Sequence, residues 1–227
     1  MHEHLHWHLI YGLYPDAVNN KNDAEKYVKS LAGSYLYKDV LAWKDIRKPE
    51  LLEKLLQLLA FQMGSEVSLQ ELAVKLKVKS ETVDTYIDLL EKSFVIFRMK
   101  SYSTNDRKEV TKMKKIYFYD NGIRNAIIDN FKPLELRDDT GALWENFMVC
   151  ERMKINHYAE KNIKSWFWRS LQQQEVDYVE TEGNEIRAYE IKWNTIKKAY
   201  VTKAFTNLYP NSSTQVITPE NFTQFAV

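Results

Sequence analysis

The chain has 227 residues, enough for two ordinary domains that each bury a core. Its 32 Lys and Arg stand against 31 Asp and Glu, so no overall charge marks it as a polyanion binder and any basic surface has to be local. A single cysteine, Cys150, excludes an intrachain disulfide framework and fits a reducing compartment. The richest apolar run, LLEKLLQLLAFQM, is broken by Glu53, Lys54 and Gln57 and reads as a core helix, not a membrane span. No cationic segment followed by an apolar one opens the chain, so a soluble cytoplasmic protein is expected.

The opening stretch, MHEHLHWHLIYGLYP, holds four of the five histidines. On a strand, alternation would set His2, His4, His6 and His8 on one side, where imidazoles two apart can chelate a metal. The preferred reading is a frayed terminus that is His-rich by composition alone. From Asp23 to about Ile46, apolar residues recur at helical spacing (Tyr27, Leu31, Leu36, Val40, Trp43), with Gly33 as a weak point. Pro49 suits the first turn of a second helix, which Gly64 ends. Ser68 and Glu71 form a capping box before LQELAVKL, and Ser80 is expected to cap ETVDTYIDLLEKS, whose Val83, Ile87 and Leu90 make a buried stripe beside Tyr86. FVIFRM and KKIYFYD then read as strands flanking a Lys-rich loop between Tyr102 and Met113. Helices followed by a β-hairpin in this order predict a winged helix-turn-helix.

Charge divides that module. The second helix of the pair presents Glu81, Asp84, Asp88 and Glu91 with only Lys92 to offset them, which opposes phosphate binding. The hairpin region is richer in cations, Arg98 and Lys100 among them, and Arg107, Lys108, Lys112, Lys114 and Lys115 are the candidate nucleic-acid contacts. A protein-docking module with a solvated basic loop is the competing expectation.

After Asp120 a short helix, NGIRNAIID, leads to Pro133, a natural boundary. A helix over 139–156 follows, then three strands (IKSWFWRS, EVDYVE, IRAYEIKW), a helix near Ile196 and a strand, STQVIT. The expected division is an N-terminal segment over 1–22, a helical and winged-helix domain over 23–133 and an α/β domain over 134–227. Trp144, Trp166, Trp168 and Trp193 read as core, with Trp166 and Trp168 on one sheet face, and Cys150 as a small buried hydrophobe. His157 has no Asp or Ser partner in view, which argues against a hydrolase triad.

The chemistry concentrates in EVDYVETEGNEIRAYEIKW. In YEIKW, Tyr189, Ile191 and Trp193 point one way and Glu190 and Lys192 the other. In EVDYV, Val176 and Tyr178 share one face and Asp177 and Val179 the other. If the strands pair across the Gly-containing turn, Asp177, Glu190 and Lys192 converge. Two carboxylates that close repel unless a cation separates them, and a divalent metal answers that need. A neighbouring lysine orients a water or stabilises charge on phosphorus. The competing reading is an exposed salt-bridge ladder on an edge strand.

Asp177 followed by Glu190-Ile191-Lys192 resembles the PD-(D/E)xK motif of restriction-endonuclease-like nucleases, with Val176 in place of the proline. That resemblance implies Mg²⁺ on Asp177 and Glu190, Lys192 as the catalytic lysine, and a helix carboxylate, for which Glu145 in GALWENF is the candidate. More widely, YGLYP, SYLYKDV, LLQLLAFQMGSEVS, TVDTYIDLLEKSFVIFR, KIYFYDNGIRNAII, GALWENF, WFWR, QEVDY and AYEIKWN, in that order, resemble the C-terminal half of a prokaryotic AAA-superfamily ATPase family. There an ATPase domain precedes a winged helix and a restriction-endonuclease-like domain of unknown function, and YGLYP would be the last trace of the ATPase lid. The chain contains no G-x-x-x-x-G-K-[ST] loop, so an excised or truncated piece without ATP hydrolysis is expected. The resemblance implies DNA as substrate and an ATPase domain or another protein as partner, with no membrane. An inert docking or regulatory module of the ATPase is the alternative.

Overall fold

In the computed structural model, residues 4–35, 48–103, 114–194 and 199–226 are described. Arg107, Lys108 and Lys112, and with them most of the expected basic loop, lie outside these residues, as do His2, Leu36, Val40 and Trp43. The fold is mixed α+β, with helices and two sheets. The chain divides into two compact units, one formed by Met1–Arg98 and Ile116–Asp138, the other by Met99–Lys115 and Asp139–Val227.

The first unit opens with α1 (Leu5–Tyr11), α2 (Pro15–Asn19) and α3 (Ala24–Tyr35). The histidine-rich start is therefore a packed helix and not a frayed end: Leu9 is fully buried, and burial lowers the pKa of His8. Three-and-four spacing puts Leu5, His8 and Leu9 on the buried side, while His4 and His6 are exposed. The helix stops at Gly12, whose φ of +78° suits glycine and whose Cα lies against Asp120. Asp120 accepts from Leu13 N (2.8 Å) and caps α7 (Asn121–Ile127) by accepting from Ile123 N (3.0 Å). Buried Asn125 donates to the carbonyls of Leu9 and Ile10 at the end of α1, and buried Arg124 donates to Ala60 O. These bonds satisfy carbonyls that a helix end leaves open.

Pro49 does open α4 (Pro49–Phe61), which buries Leu51, Leu52, Leu55, Leu56 and Leu59 on one stripe. Each such leucine is worth about 1.5–3 kcal/mol relative to exposure. Ser68 caps α5 (Leu69–Leu76) as its capping box predicts, accepting from Glu71 N at 3.3 Å. Ser80 does not cap: it is the first residue of α6 (Ser80–Lys92), behind Lys79 in extended conformation. The strands β1 (Glu66–Val67), β2 (Ile96–Met99) and β3 (Lys114–Phe118) form a sheet in the order β1-β3-β2. Three of the four acids on the face of α6 are paired internally. Arg98 on β2 donates to Asp84 (2.8 Å), to Asp88, and through Nε to Glu91 (2.9 Å). The same arginine is thereby withdrawn from the expected cationic surface.

The second unit is built on a four-stranded sheet in the order β4-β5-β6-β7: β4 (Lys164–Arg169), β5 (Glu175–Glu182), β6 (Glu185–Ile191) and β7 (Ser213–Ile217). The first three are antiparallel neighbours, and β7 runs parallel to β6 after a crossover through α9 (Lys203–Leu208). Gly183, with φ of +56°, makes the tight turn between β5 and β6 that the sequence anticipates. The long helix α8 (Thr140–Tyr158) packs on β6, and α10 (Thr223–Ala226) packs on α8. Trp144 meets Trp193 and Phe222 edge-on, so these tryptophans build the core. Cys150 is buried.

Alternation fails at one place. Trp166 pairs with Val179 and Trp168 with Val176, so Phe167 faces two residues, Asp177 and Tyr178. This bulge returns Val176 and Val179 to the same apolar cluster, with Trp168, Ala188 and Phe205. Tyr178 does not share the face of Val176; it meets Phe225 edge-on, and its hydroxyl bonds Ser165 at 2.7 Å. A bulge inserts one residue, and every side chain beyond it changes face.

Candidate acid and lysine site of the second unit

The β5–β6 ladder pairs Tyr178 with Tyr189 and Val179 with Ala188. One step further along, Ile191 N donates to the Asp177 carboxylate at 2.8 Å. That bond, together with the bulge, holds Asp177 (5% exposed) at the end of β5. Glu190, on β6, and Lys192, just past its end, project next to it. Lys192 Nζ stands 3.1 Å from Asp177 Oδ2 and 2.8 Å from Glu190 Oε1. Lys192 is tied at its backbone as well, through N–H to Ile217 O of β7 at 2.9 Å. The three residues of the Asp and Glu-x-Lys pattern therefore meet at one point.

Electrostatics set them apart from a surface ladder. Burial pushes the Glu190 carboxyl up, the Asp177 charge adds to it, and against the pull of Lys192 it stands at about 7. Its Oε2 is buried with no hydrogen-bond partner. Burial opposes the charge on Lys192, but Asp177 and Glu190 outweigh it and hold the ammonium above its ordinary range. Lys192 is 42% exposed, against 8% for Asp177 and 13% for Glu190, so the site meets solvent at the lysine.

Lys115 completes the cluster, and not as the sequence suggested. Expected on a nucleic-acid surface, it is 1% exposed, and no phosphate can reach it. Its Nζ binds Glu145 of α8 at 3.0 Å and Glu175 of β5, and lies 5.5 Å from the centre of the Phe167 ring. Burial lowers its pKa, but the charges of Glu145, Glu175 and Asp177 reverse that and raise it above the ordinary lysine value. Glu175 also accepts from Arg169 Nε at 2.7 Å. Of the other expected contacts, Lys114 is half-buried at the start of β3, and Arg107, Lys108 and Lys112 lie outside the described residues. A composition count cannot see the burial of Lys115. The one sequence signal was its place in KKIYFYD, where it alternates with Lys114 on a strand of otherwise apolar residues.

A divalent cation fits part of this cluster. The orphaned Oε2 of Glu190 beside Asp177 offers hard oxygen donors in a water-poor setting. Among the described residues, no three His, Cys, Asp or Glu side chains are grouped to hold a metal ion, because Lys115 and Lys192 stand between the carboxylates.

A second buried carboxylate, Glu180, is 0% exposed and accepts from Arg152 through Nε (2.7 Å) and Nη2 (2.9 Å) and from Asn156 at 2.6 Å. Burial pushes its carboxyl up, but the Arg152 guanidinium prevails and holds it below the usual carboxylate value. With its lone pairs engaged this way, Glu180 fastens α8 to the sheet and offers nothing to a ligand.

Fold and site thus define a mixed α+β protein of two units, the second carrying a buried cluster of acids and lysines at the ends of adjacent strands. Residues 2–134 match the family model "Domain of unknown function (DUF8612)" and residues 140–225 the model "Domain of unknown function (DUF4143)"; the chain belongs to the DUF8612 family. It is similar to an uncharacterized protein of Haemophilus influenzae, 19% identical over 224 residues, which span 94% of this chain and 52% of the relative. It is also similar to the uncharacterized protein MJ1637 of Methanocaldococcus jannaschii, 31% identical over 131 residues, 56% of this chain and 27% of that one. The chain thus spans about half the length, or less, of these curated relatives. No solved structure matches it significantly. No helix among the described residues is long and apolar enough to cross a membrane.

Proposed function

We propose that the second unit is a PD-(D/E)xK-type domain carrying a metal-dependent phosphodiesterase site for DNA, that the first contains a winged helix, and that both serve a larger ATPase-family protein. The observation that supports this most is the buried, unpartnered Glu190 Oε2 beside Asp177, with Lys192 bonded to both carboxylates and open to solvent. An unpaired oxygen of a buried carboxylate is costly in a purely structural site. Asp177 and Glu190 would hold Mg²⁺, which supplies Lewis-acid polarisation of a phosphoryl oxygen when bound. Lys192, released from its two carboxylates, would present an ammonium to the attacking water and to the charge that grows on phosphate oxygens.

A second reading, a docking domain without catalysis, draws support from the internal neutralisation of the cluster by Lys115 and from the pairing of Arg98 with the acids of α6. Cleavage of supercoiled plasmid and of single-stranded DNA with Mg²⁺ or Mn²⁺ separates the two. Activity that disappears in Asp177→Ala and Lys192→Ala is expected. Cleavage undiminished in Lys192→Ala refutes the assignment, and absence of both cleavage and metal binding supports the docking reading.

A further inference from the structure

Lys115 is the most deeply buried cation of the described residues, and it sits between the helix carboxylate Glu145 and the strand carboxylate Glu175. The cluster can be counted in charges. With every carboxyl ionised, Glu145, Glu175, Asp177 and Glu190 set four negative groups against three positive ones, Lys115, Lys192 and Arg169. One divalent cation takes that balance from −1 to +1, and a second would take it to +3 in a setting where Asp177 and Lys115 are 5% and 1% exposed. Uncompensated charge in such surroundings is strongly unfavourable. Geometry agrees with the count. Glu145 places its Oε1 3.0 Å from the Lys115 ammonium, and the same ammonium also binds Glu175. The segment after β2 is bonded to β4, where Tyr102 N donates to Phe167 O at 2.6 Å and Phe167 N donates to Lys100 O at 3.1 Å, and the Lys115 ammonium rests against the ring of that same Phe167. Buried at 1% exposure and bound to both carboxylates, Lys115 already occupies the position that a second ion on Glu145 and Glu175 would need.

Resting on the phosphodiesterase reading, we infer that Lys115 is a positioning residue that fills the place of a second cation: it binds Glu145, and the site takes a single divalent ion on Asp177 and Glu190. Glu145 is then a partner of Lys115 and no metal ligand. Substituting Lys115 alone leaves Glu145 and Glu175 facing each other, and divalent ions become the replacement counter-charge.

The test is titration calorimetry of the full chain with Mn²⁺, joined to thermal unfolding with and without the ion. Wild type is expected to bind one Mn²⁺. Glu145→Gln, and the paired variant Lys115→Met with Glu145→Gln that removes both partners, are expected to keep that single site with affinity changed less than about threefold. Lys115→Met alone is expected to take up a second Mn²⁺. If it is unfolded without metal, Mn²⁺ should refold it, and Lys115→Arg should behave as wild type. Two ions on wild type, or a loss of more than about tenfold in affinity from Glu145→Gln, overturns the inference while leaving the phosphodiesterase reading standing. No Mn²⁺ on wild type ends both. A Lys115→Met variant that neither binds a second ion nor is refolded by one also overturns the role given to Lys115.

Discussion

Replacing Glu190 by glutamine should stabilise the metal-free protein at alkaline pH. An unfolded glutamate ionises near 4.5, whereas Glu190 in the fold stands at about 7, raised by burial and by Asp177. A carboxyl raised in the folded state contributes stability that is fully present below its unfolded value and is lost as pH climbs through its folded one. The gap, at about 1.4 kcal/mol per tenfold, comes to about 3 kcal/mol above the folded value and about 1 kcal/mol at about pH 5. Glutamine cannot ionise, so its variant escapes the decline, and its amide oxygen still accepts from Lys192. Urea denaturation in EDTA, followed by tryptophan fluorescence, measures the difference. Between about pH 5 and about pH 8 the variant should gain about 2 kcal/mol on wild type. A difference that does not move with pH, or a variant less stable than wild type at about pH 8, refutes the reasoning and removes the strain on which the site assignment leans.

Other residues test other parts. Glu180→Gln leaves Arg152 without its charge partner inside the core, and should cost about 3–5 kcal/mol by denaturation near neutral pH. Because the Glu180 carboxyl is held below its ordinary 4.5, that difference should shrink as acid protonates it, and a difference constant down to about pH 3 would contradict the pairing. Gly12→Ala drives a Cβ to 2.1 Å from Asp120 Oδ1 at a φ of +78°, and should destabilise the first unit by about 2–4 kcal/mol. Gly33→Ala, in α3 with nothing within 4 Å of the new methyl, should stabilise by about 0.5–1 kcal/mol, so equal melting shifts for the two would overturn the close-approach argument. Arg98→Met strands Asp84, Asp88 and Glu91 and should cost about 1–3 kcal/mol, less than Glu180→Gln because those acids are partly exposed. A loss as large as that of Glu180→Gln would refute the ranking by exposure.

Local patterns told most of this fold. Proline at the first turn of α4, the Ser68 cap, the leucine stripe and the glycine turn between β5 and β6 are each decided by residues within a few positions of one another, so they can be read along the chain. The meeting of Asp177, Glu190 and Lys192 was legible for the same reason, since it follows from one tight hairpin. What escaped depends on distant neighbours. The bulge at Asp177 and Tyr178 is a matter of register against β4, and an alternation count has no access to it. Lys115 and Arg98 looked like surface cations because a sequence shows their type and not the acids that fold against them from 30 or 14 residues away. Helical periodicity was present in LHWHLIY too, but the histidines disguised it as a polar end.

The division of the chain has a consequence for descent and exchange. Each unit is interrupted: the first resumes at Ile116 and closes at Asp138, and the second borrows Met99–Lys115 from upstream. The segment that matches a family model on its own, 140–225, therefore excludes the backbone partners of Phe167 and the ammonium that faces Glu145 and Glu175. Moved to another protein by recombination at residue 139, it would arrive with a carboxylate cluster lacking its built-in counterion. Only hosts that supply a basic strand, or that substitute the acids, could accept it. Inheritance of the two units as one piece is the simpler outcome.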